Sequence, residues 1–311
     1  MEALALRDNT AIQTGFTFSE ELYERFLAYL DASPKTIATY NRAIRQFMKY
    51  VEEHEISQPT RETVLAYREE LKVGHKASTV TSYIVALRLL FQWTAQEGFY
   101  PNIAEHVKGA KLTKEHKKDY LTASQIKDIM ASIDQSTPQG RRDYAIFALM
   151  VCGGLRDIEV HRAQVQDLRT LGDSTVLYLL GKGREDKAEY VKVPPVVEKA
   201  VRSSLADRES VKPNDPLFIS LSNNSKGKQI STRSISGLIK DILKKAGYNS
   251  DRLTAHSLRH SAVTLSLLGG EKLEEVQQFA RHKNIATTLI YAHSLDRAKN
   301  TCESTIAGAI F

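Results

Sequence analysis

Arg281-His282-Lys283-Asn284-Ile285-Ala286-Thr287-Thr288-Leu289-Ile290-Tyr291-Ala292-His293 is the stretch on which the reading of this 311-residue chain turns. His282 precedes Tyr291 by nine residues, with a helix of about two turns over 285–291 between them. Upstream, His256-Ser257-Leu258-Arg259-His260 puts His256 and Arg259 on one helical face, at i and i+3. Gly181-Lys182-Gly183 sets a lysine at the tip of a hairpin, where flanking glycines permit close approach of backbone to a ligand. Gly153-Gly154-Leu155-Arg156-Asp157-Ile158-Glu159 places an arginine just after a glycine break, with a carboxylate three residues on.

Each motif has a plainer reading. Glu159 suits a surface ion pair with Arg156, and His-x-x-Arg suits a solvated pair. A tyrosine near a helix end is commonly core or rim. Gly-Lys-Gly is ordinary hairpin chemistry, and it lacks the spaced glycines and the terminal Lys-Ser/Thr of a phosphate-binding P-loop. What distinguishes the set is its order, Arg…Lys…His-x-x-Arg…His…Tyr.

Around these motifs the pattern is mostly helical. Residues 1–16 show no sustained periodicity and read as a tail. Residues 18–30 set Leu22, Phe26, Tyr29 and Leu30 on one side of a helix. Ser33-Pro34 supplies an N-cap and a proline at the first position of the next, along which Ile37, Tyr40, Ile44, Phe47, Met48 and Val51 recur. Helices over 61–72 and 78–97 complete a compact all-α domain at 17–108. After a basic linker, 109–119, the texture becomes mixed over 120–311. Thr122 caps a helix, and 140–152 form an apolar helix broken by Gly153-Gly154. Two strands, 175–181 and 188–193, join through Lys182 to Lys187. Further helices follow from Pro194-Pro195 to about 206, then at about 232–246, 257–268, 271–280 and 285–291, and 292–311 read as a C-terminal tail. The fold class is thus mainly α with a small hairpin or sheet: an all-α domain, then an α+β one.

Composition narrows the function. With 42% hydrophobic and 26% charged residues the chain has the balance of a soluble protein with real cores. Its longest apolar-plus-glycine run, Ala145 to Leu155, falls well short of the ~20 residues a spanning helix needs. Met1-Glu2-Ala3-Leu4 has no basic region leading into an apolar core, so secretion is not expected. Cys152 and Cys302 lie far apart and form no metal-type spacing, as expected of reduced thiols in the cytoplasm. The net charge of +6 sits mainly beyond residue 118, where the balance is +5. Lys108, Lys111, Lys114, Lys117 and Lys118 form the densest basic run, suited either to a solvated linker or to tracking phosphates. Arg42, Arg45 and Lys49, spaced by three and four, and Lys76 at the head of the fourth helix, suit contacts to a DNA backbone or a solvated face.

Taken together, the order of motifs resembles the catalytic signature of the tyrosine recombinases, the family of phage integrases and Xer recombinases. The resemblance runs from about residue 17 to the C-terminus and is most specific over His256 to Tyr291, above all in Ala-Thr-Thr-x-x-Tyr. It implies a core-binding domain at 17–108, a DNA-clamping linker that makes Lys108 to Lys118 phosphate-facing, and a catalytic domain at 120–311. It also implies double-stranded DNA as partner and a cyclic tetramer on it. The apolar tip Ile306, Ala307, Ala309, Ile310, Phe311 would then dock on a neighbouring protomer, the alternative being its own domain. Two departures stand out. The family usually has Leu-Gly before the histidine matching His282, where this chain has Ala280-Arg281. Val160 and Ala163 fill positions usually held by leucine.

The resemblance gives each residue a task. Arg156 and Arg259 would hold the nonbridging phosphate oxygens through paired N–H donors. His282 would add a hydrogen bond, Tyr291 would be the nucleophile and His256 its proton acceptor. Lys182 would protonate the departing 5′ oxygen, and Glu159 would orient Arg156 or a histidine. The product is a covalent 3′-phosphotyrosyl link, and religation needs no ATP. No carboxylate cluster suggests a metal site, and no cofactor is expected. Among enzymes the rival is a type IB topoisomerase, disfavoured by the compact first domain and Ala-Thr-Thr-x-x-Tyr. Outside enzymes it is a DNA-binding protein of the same fold that has lost a reacting residue; none is lost here. Integration and excision of a mobile element is the leading biological role, with resolution of chromosome or plasmid multimers the alternative.

Overall fold

A computed structural model of the chain describes residues 19–111, 119–181, 186–299 and 301–311. It forms two compact units, Met1–Glu115 and His116–Phe311. The tail expected over 1–16 and the candidate residues Lys114, Lys117, Lys118 and Lys182 lie outside the described residues.

The first unit is built from α1 (Glu20–Tyr29), α2 (Pro34–Glu53), α3 (Arg61–Gly74) and α4 (Ala77–Gln96). Ser33 caps α2 as its sequence demands, accepting from the Thr36 N–H at 3.3 Å, with Pro34 at the first turn. Ala43, Ile44, Phe47 and Tyr50 recur at three- and four-residue spacing and are buried against α4, whose Val80, Tyr83, Ile84, Leu87, Leu90 and Phe91 face them. Phe47 sits edge-on to Tyr67 and Phe91, with centroids 5.1 and 5.9 Å away. On α1 the buried aromatics are Phe26 and Tyr23, whereas Tyr29 is 51% exposed. Phe26 docks on Trp93 at 5.5 Å and fixes the rotation of α1, which carries Tyr29 to the rim. Arg42, Arg45, Lys49, Lys76, Lys108 and Lys111 are all exposed.

The second unit is organised by α6 (Pro138–Cys152), buried continuously from Ala145 to Val151. A helix apolar on every side needs partners all round. It finds them in α5 (Ala123–Ala131), α8 (Pro195–Ala206) and α10 (Ala255–Leu268). Gly153 closes α6, and Gly154, at φ +56°, turns the chain into the short α7 (Asp157–Arg162). Three antiparallel strands follow: β1 (Leu168–Leu171), β2 (Ser174–Leu179) and β3 (Glu189–Lys192), in the order β1-β2-β3. Leu177 pairs with Leu168 on one side and Val191 on the other.

The sequence predicts only two of these strands. β1 is a four-residue edge with three exposed positions, too short for an alternating pattern to show. Its one signal is Gly172-Asp173, a two-residue hairpin turn with Gly172 at φ +58°. The expected hairpin spans β2 and β3, in register Leu179↔Glu189, and Lys182 belongs to their connection.

α9 (Thr232–Lys245) packs on α7 and α10, and α11 (Leu273–Ala280) and α12 (Ile285–Lys299), both packed on α10, complete the unit. Ser261 of α10 accepts the Leu121 N–H at 2.7 Å, tying the entry of α5 to it. The helix expected over 285–291 runs on to Lys299, and α13 (Cys302–Ile310) lies in the stretch read as a tail. All of 301–311 is exposed, with Ile306 and Ile310 more than half so. Among the described residues no helix is long and apolar enough to cross a membrane.

Candidate active site

The α6–α7 turn, α10, the α11–α12 turn and α12 converge on one cluster of side chains, and each delivers sequence-predicted residues to it. The Gly153-Gly154 break presents Arg156 as the N-cap of α7. Glu159, one turn on, is 1% exposed and accepts both the Arg156 N–H (2.9 Å) and its guanidinium (2.6 Å). Arg259 projects from the buried face of α10, 1% exposed, and donates to the carbonyls of Gly154 (2.6 Å) and Ala280. These bonds take two of the five N–H groups a guanidinium carries.

The α11–α12 turn carries His282. Gln277 brackets it, its carbonyl accepting the His282 N–H at 3.1 Å and its amide donating to the His282 carbonyl at 3.1 Å. His282 Nδ1 lies 2.9 Å from the hydroxyl of Thr288, which is fully buried on α12. Tyr291, three residues beyond Thr288, is 5% exposed. Its ring packs against His260 (4.7 Å between centroids) and lies parallel to His282 (6.2 Å). His256 is exposed and meets His260 edge-on at 5.2 Å. The structure thus brings Arg156, Glu159, Arg259, His282 and Tyr291 together and joins His256 to them through His260. Among the described residues no group of three or more His, Cys, Asp or Glu is placed to hold a metal ion.

Electrostatics follow from three guanidiniums around one carboxylate. Burial works to raise the Glu159 carboxyl, but Arg281, then the backbone N–H and charge of Arg156, outweigh it and hold Glu159 below its ordinary value. Burial, then Arg156 and Arg281, pull Arg259 down to about 9, leaving it a cation at neutral pH. Burial raises the Tyr291 phenol, and Arg259 and Arg156 only partly reverse this. The phenol is therefore protonated at neutral pH.

His282 is pulled down to about 4 by burial and then by Arg259, Arg156, Arg281 and His256. An unfolded histidine titrates near ~6.5. As pH falls through that value towards about 4 the unfolded chain binds the proton first, so this site's contribution to stability is lost across that window. An NMR titration of the folded chain is expected to show the His282 ring neutral at pH 5.5. A midpoint near the ordinary histidine value contradicts the crowding of cations around it.

Three residues here carried no role in the sequence reading. His260 was visible only as the end of His-Ser-Leu-Arg-His. Thr288 had a signal, since it stands one helical turn before Tyr291 and so shares its face. Arg281 was visible only as a bulky replacement for glycine. Gly154 couples turn and site, because its carbonyl serves both Arg259 and Arg281. A methyl group there meets the Phe279 ring at 3.1 Å with the backbone left-handed. Gly154→Ala is expected to cost about 1–2 kcal/mol in urea unfolding.

Residues 119–298 match the phage integrase family model, and residues 21–98 match the N-terminal SAM-like domain of phage integrases. A tyrosine recombinase of Synechococcus elongatus is 27% identical over 289 residues, covering 88% of this chain and 89% of that protein. Tyrosine recombinase XerC of Actinobacillus pleuropneumoniae is 31% identical over 273 residues, 84% of each chain. In fold, the chain is similar to XerH site-specific recombinase bound to palindromic difH substrate in a post-cleavage complex. The TM-score is 0.74 at 21% identity, over 92% of this chain and 85% of that one.

Proposed function

The chain belongs to the phage integrase family of tyrosine recombinases, DNA strand-transferring site-specific recombinases, and we propose that it cuts and rejoins double-stranded DNA through a 3′-phosphotyrosyl bond to Tyr291. The observation that supports this most is the buried phenol of Tyr291 beside His282 and within the field of Arg156 and Arg259. Tyr291 attacks the phosphorus. Arg156 and Arg259 bind the nonbridging oxygens, where each such donor is worth ~2.7–4 kcal/mol in the transition state. The neutral His282 takes the Thr288 hydroxyl proton's hydrogen bond at Nδ1 and donates from Nε2 to the same oxygens. The phenol proton leaves toward His256, with His260 packed between that residue and Tyr291. Lys182 protonates the departing 5′ oxygen, help of a kind worth ~10²–10⁴ in rate. The second strand's 5′ hydroxyl then reverses the attack and conserves bond energy.

In this reading the exposed basic side chains Arg42, Arg45, Lys49, Lys76, Lys108 and Lys111, with Lys114, Lys117 and Lys118, contact phosphates. Four copies assemble on two duplexes in the cytoplasm, each placing the apolar tip of 301–311 on a neighbour, which gives the exposed Ile306, Ile310 and Phe311 cover. Integration and excision of a mobile element is the first biological reading. Similarity to XerC supports a second, resolution of replicon multimers, with the same chemistry. Accumulation of multimers on gene deletion distinguishes the second from the first.

The chemistry is tested with a nicked duplex carrying the site that the purified chain selects from a randomised library. The expected product is a denaturation-resistant adduct that a protease reduces to a Tyr291 peptide on a DNA 3′ end. Linkage to a 5′ end, or through another residue, overturns the proposal.

A further inference from the structure

Arg281 occupies a costly position. Its backbone is left-handed at φ +53°, a conformation that glycine adopts freely and a long side chain does not. Its side chain is buried, and its Nε has no hydrogen-bond partner. A guanidinium removed from water needs strong compensation. It has several partners: Nη2 donates to Glu159 Oε2 (2.9 Å) and the Gly154 carbonyl (3.0 Å), and Nη1 donates to the Phe279 carbonyl (2.6 Å).

Glu159 is thereby divided. The Arg156 guanidinium holds Oε1, and the Arg281 guanidinium holds Oε2, which also accepts the Arg156 N–H. The Arg281 carbonyl in turn accepts from Arg156 (3.4 Å), and Arg259 spans the same two turns through Gly154 and Ala280. The bonds from Arg281 to Glu159 and Gly154, from Arg156 to the Arg281 carbonyl, and from Arg259 to both turns join the turn that presents Arg156 to the turn that presents His282. We infer that Arg281 is a positioning residue for strand cleavage: through Glu159 it fixes the guanidinium of Arg156 and the imidazole of His282 at the spacing that one phosphate requires. It touches no substrate itself. Its charge also leaves the cluster with three cations against one anion, so a bound phosphate relieves a repulsion built into the free enzyme.

This inference rests on the cleavage reaction proposed above, and its test separates the two. Single-turnover cleavage of the selected nicked duplex is measured for the full chain and for Arg281→Gly, in which the left-handed backbone is unstrained. Cleavage is expected to slow about 10–100-fold, the range found where a partner that orients a functional side chain is removed. DNA affinity is expected to hold within about threefold. Glu159→Gln is expected to slow the natural chain by a similar factor and to add less than about threefold in the Arg281→Gly background, because both act through one link. Should Arg281→Gly not fold, Arg281→Lys against Arg281→Met carries the test. The two side chains are similar in length and differ in charge, and lysine is expected to cleave at least about tenfold faster.

Natural-rate cleavage by Arg281→Gly, equal rates for lysine and methionine, or a full Glu159→Gln effect without Arg281 overturns the positioning role while the reaction stands. A natural chain that makes no adduct overturns both.

Discussion

Replacing Tyr291 with Phe is expected to abolish the covalent DNA adduct and to leave DNA affinity unchanged. One hydroxyl is lost and nothing else: the ring stays on His260 and His282, and α12 keeps its packing on α10 and α11. Burial keeps the phenol protonated, while Arg259 and Arg156 already favour the phenolate. Once a phosphate is bound, those two charges are shared with it, so proton removal depends on the histidines. The measurement is adduct yield under denaturing conditions beside an equilibrium binding titration. The account predicts adduct below detection with binding intact. An adduct formed by the Phe variant assigns the attack elsewhere.

Arg259→Lys is expected to slow cleavage by about 10²–10³, the loss typical of one preorganised transition-state donor. Arginine reaches the Gly154 and Ala280 carbonyls and still has N–H groups left for a phosphate oxygen. A lysine ammonium keeps the charge but cannot span two carbonyls and an oxygen from one planar group. Lysine is the informative replacement, since alanine also removes the buried bonds to the Gly154 and Ala280 carbonyls and confounds rate with stability. The expected pattern in single-turnover kinetics is a lower cleavage rate at saturating DNA with affinity little changed. An equal fall in affinity and none in rate would make Arg259 a ground-state contact only.

Much of the architecture is legible where local chemistry dictates it. Ser33-Pro34 and Thr122 announce helix starts because their side chains satisfy the first free N–H groups. Gly153-Gly154 announces a stop because only glycine takes φ +56° without strain. The family follows from the spacing of His256 to Tyr291. β1 escapes because four residues on an exposed edge carry no period, and the rotation of α1 escapes because Phe26 and Trp93, far apart in sequence, decide it. At the site, pattern alone picks out the candidate residues that the structure gathers but not the groups between them. Thr288 reads as one more threonine until its hydroxyl is seen 2.9 Å from His282. Arg281 reads as a defect until Glu159 is seen with one oxygen on each of two guanidiniums. Lys182 lies outside the described residues, so its delivery to the phosphate stays an expectation from its place in the β2–β3 connection.

The central claim is that Arg156, Arg259, His282 and Tyr291, drawn from separate elements, meet at one phosphorus. A crystal structure of the chain on nicked duplex with orthovanadate in place of the scissile phosphate tests it most directly. The account predicts a bond from Tyr291 Oη to vanadium, with N–H groups of Arg156, Arg259 and His282 on the equatorial oxygens. Vanadate bound with the phenol pointing away from it, in every protomer, contradicts the account.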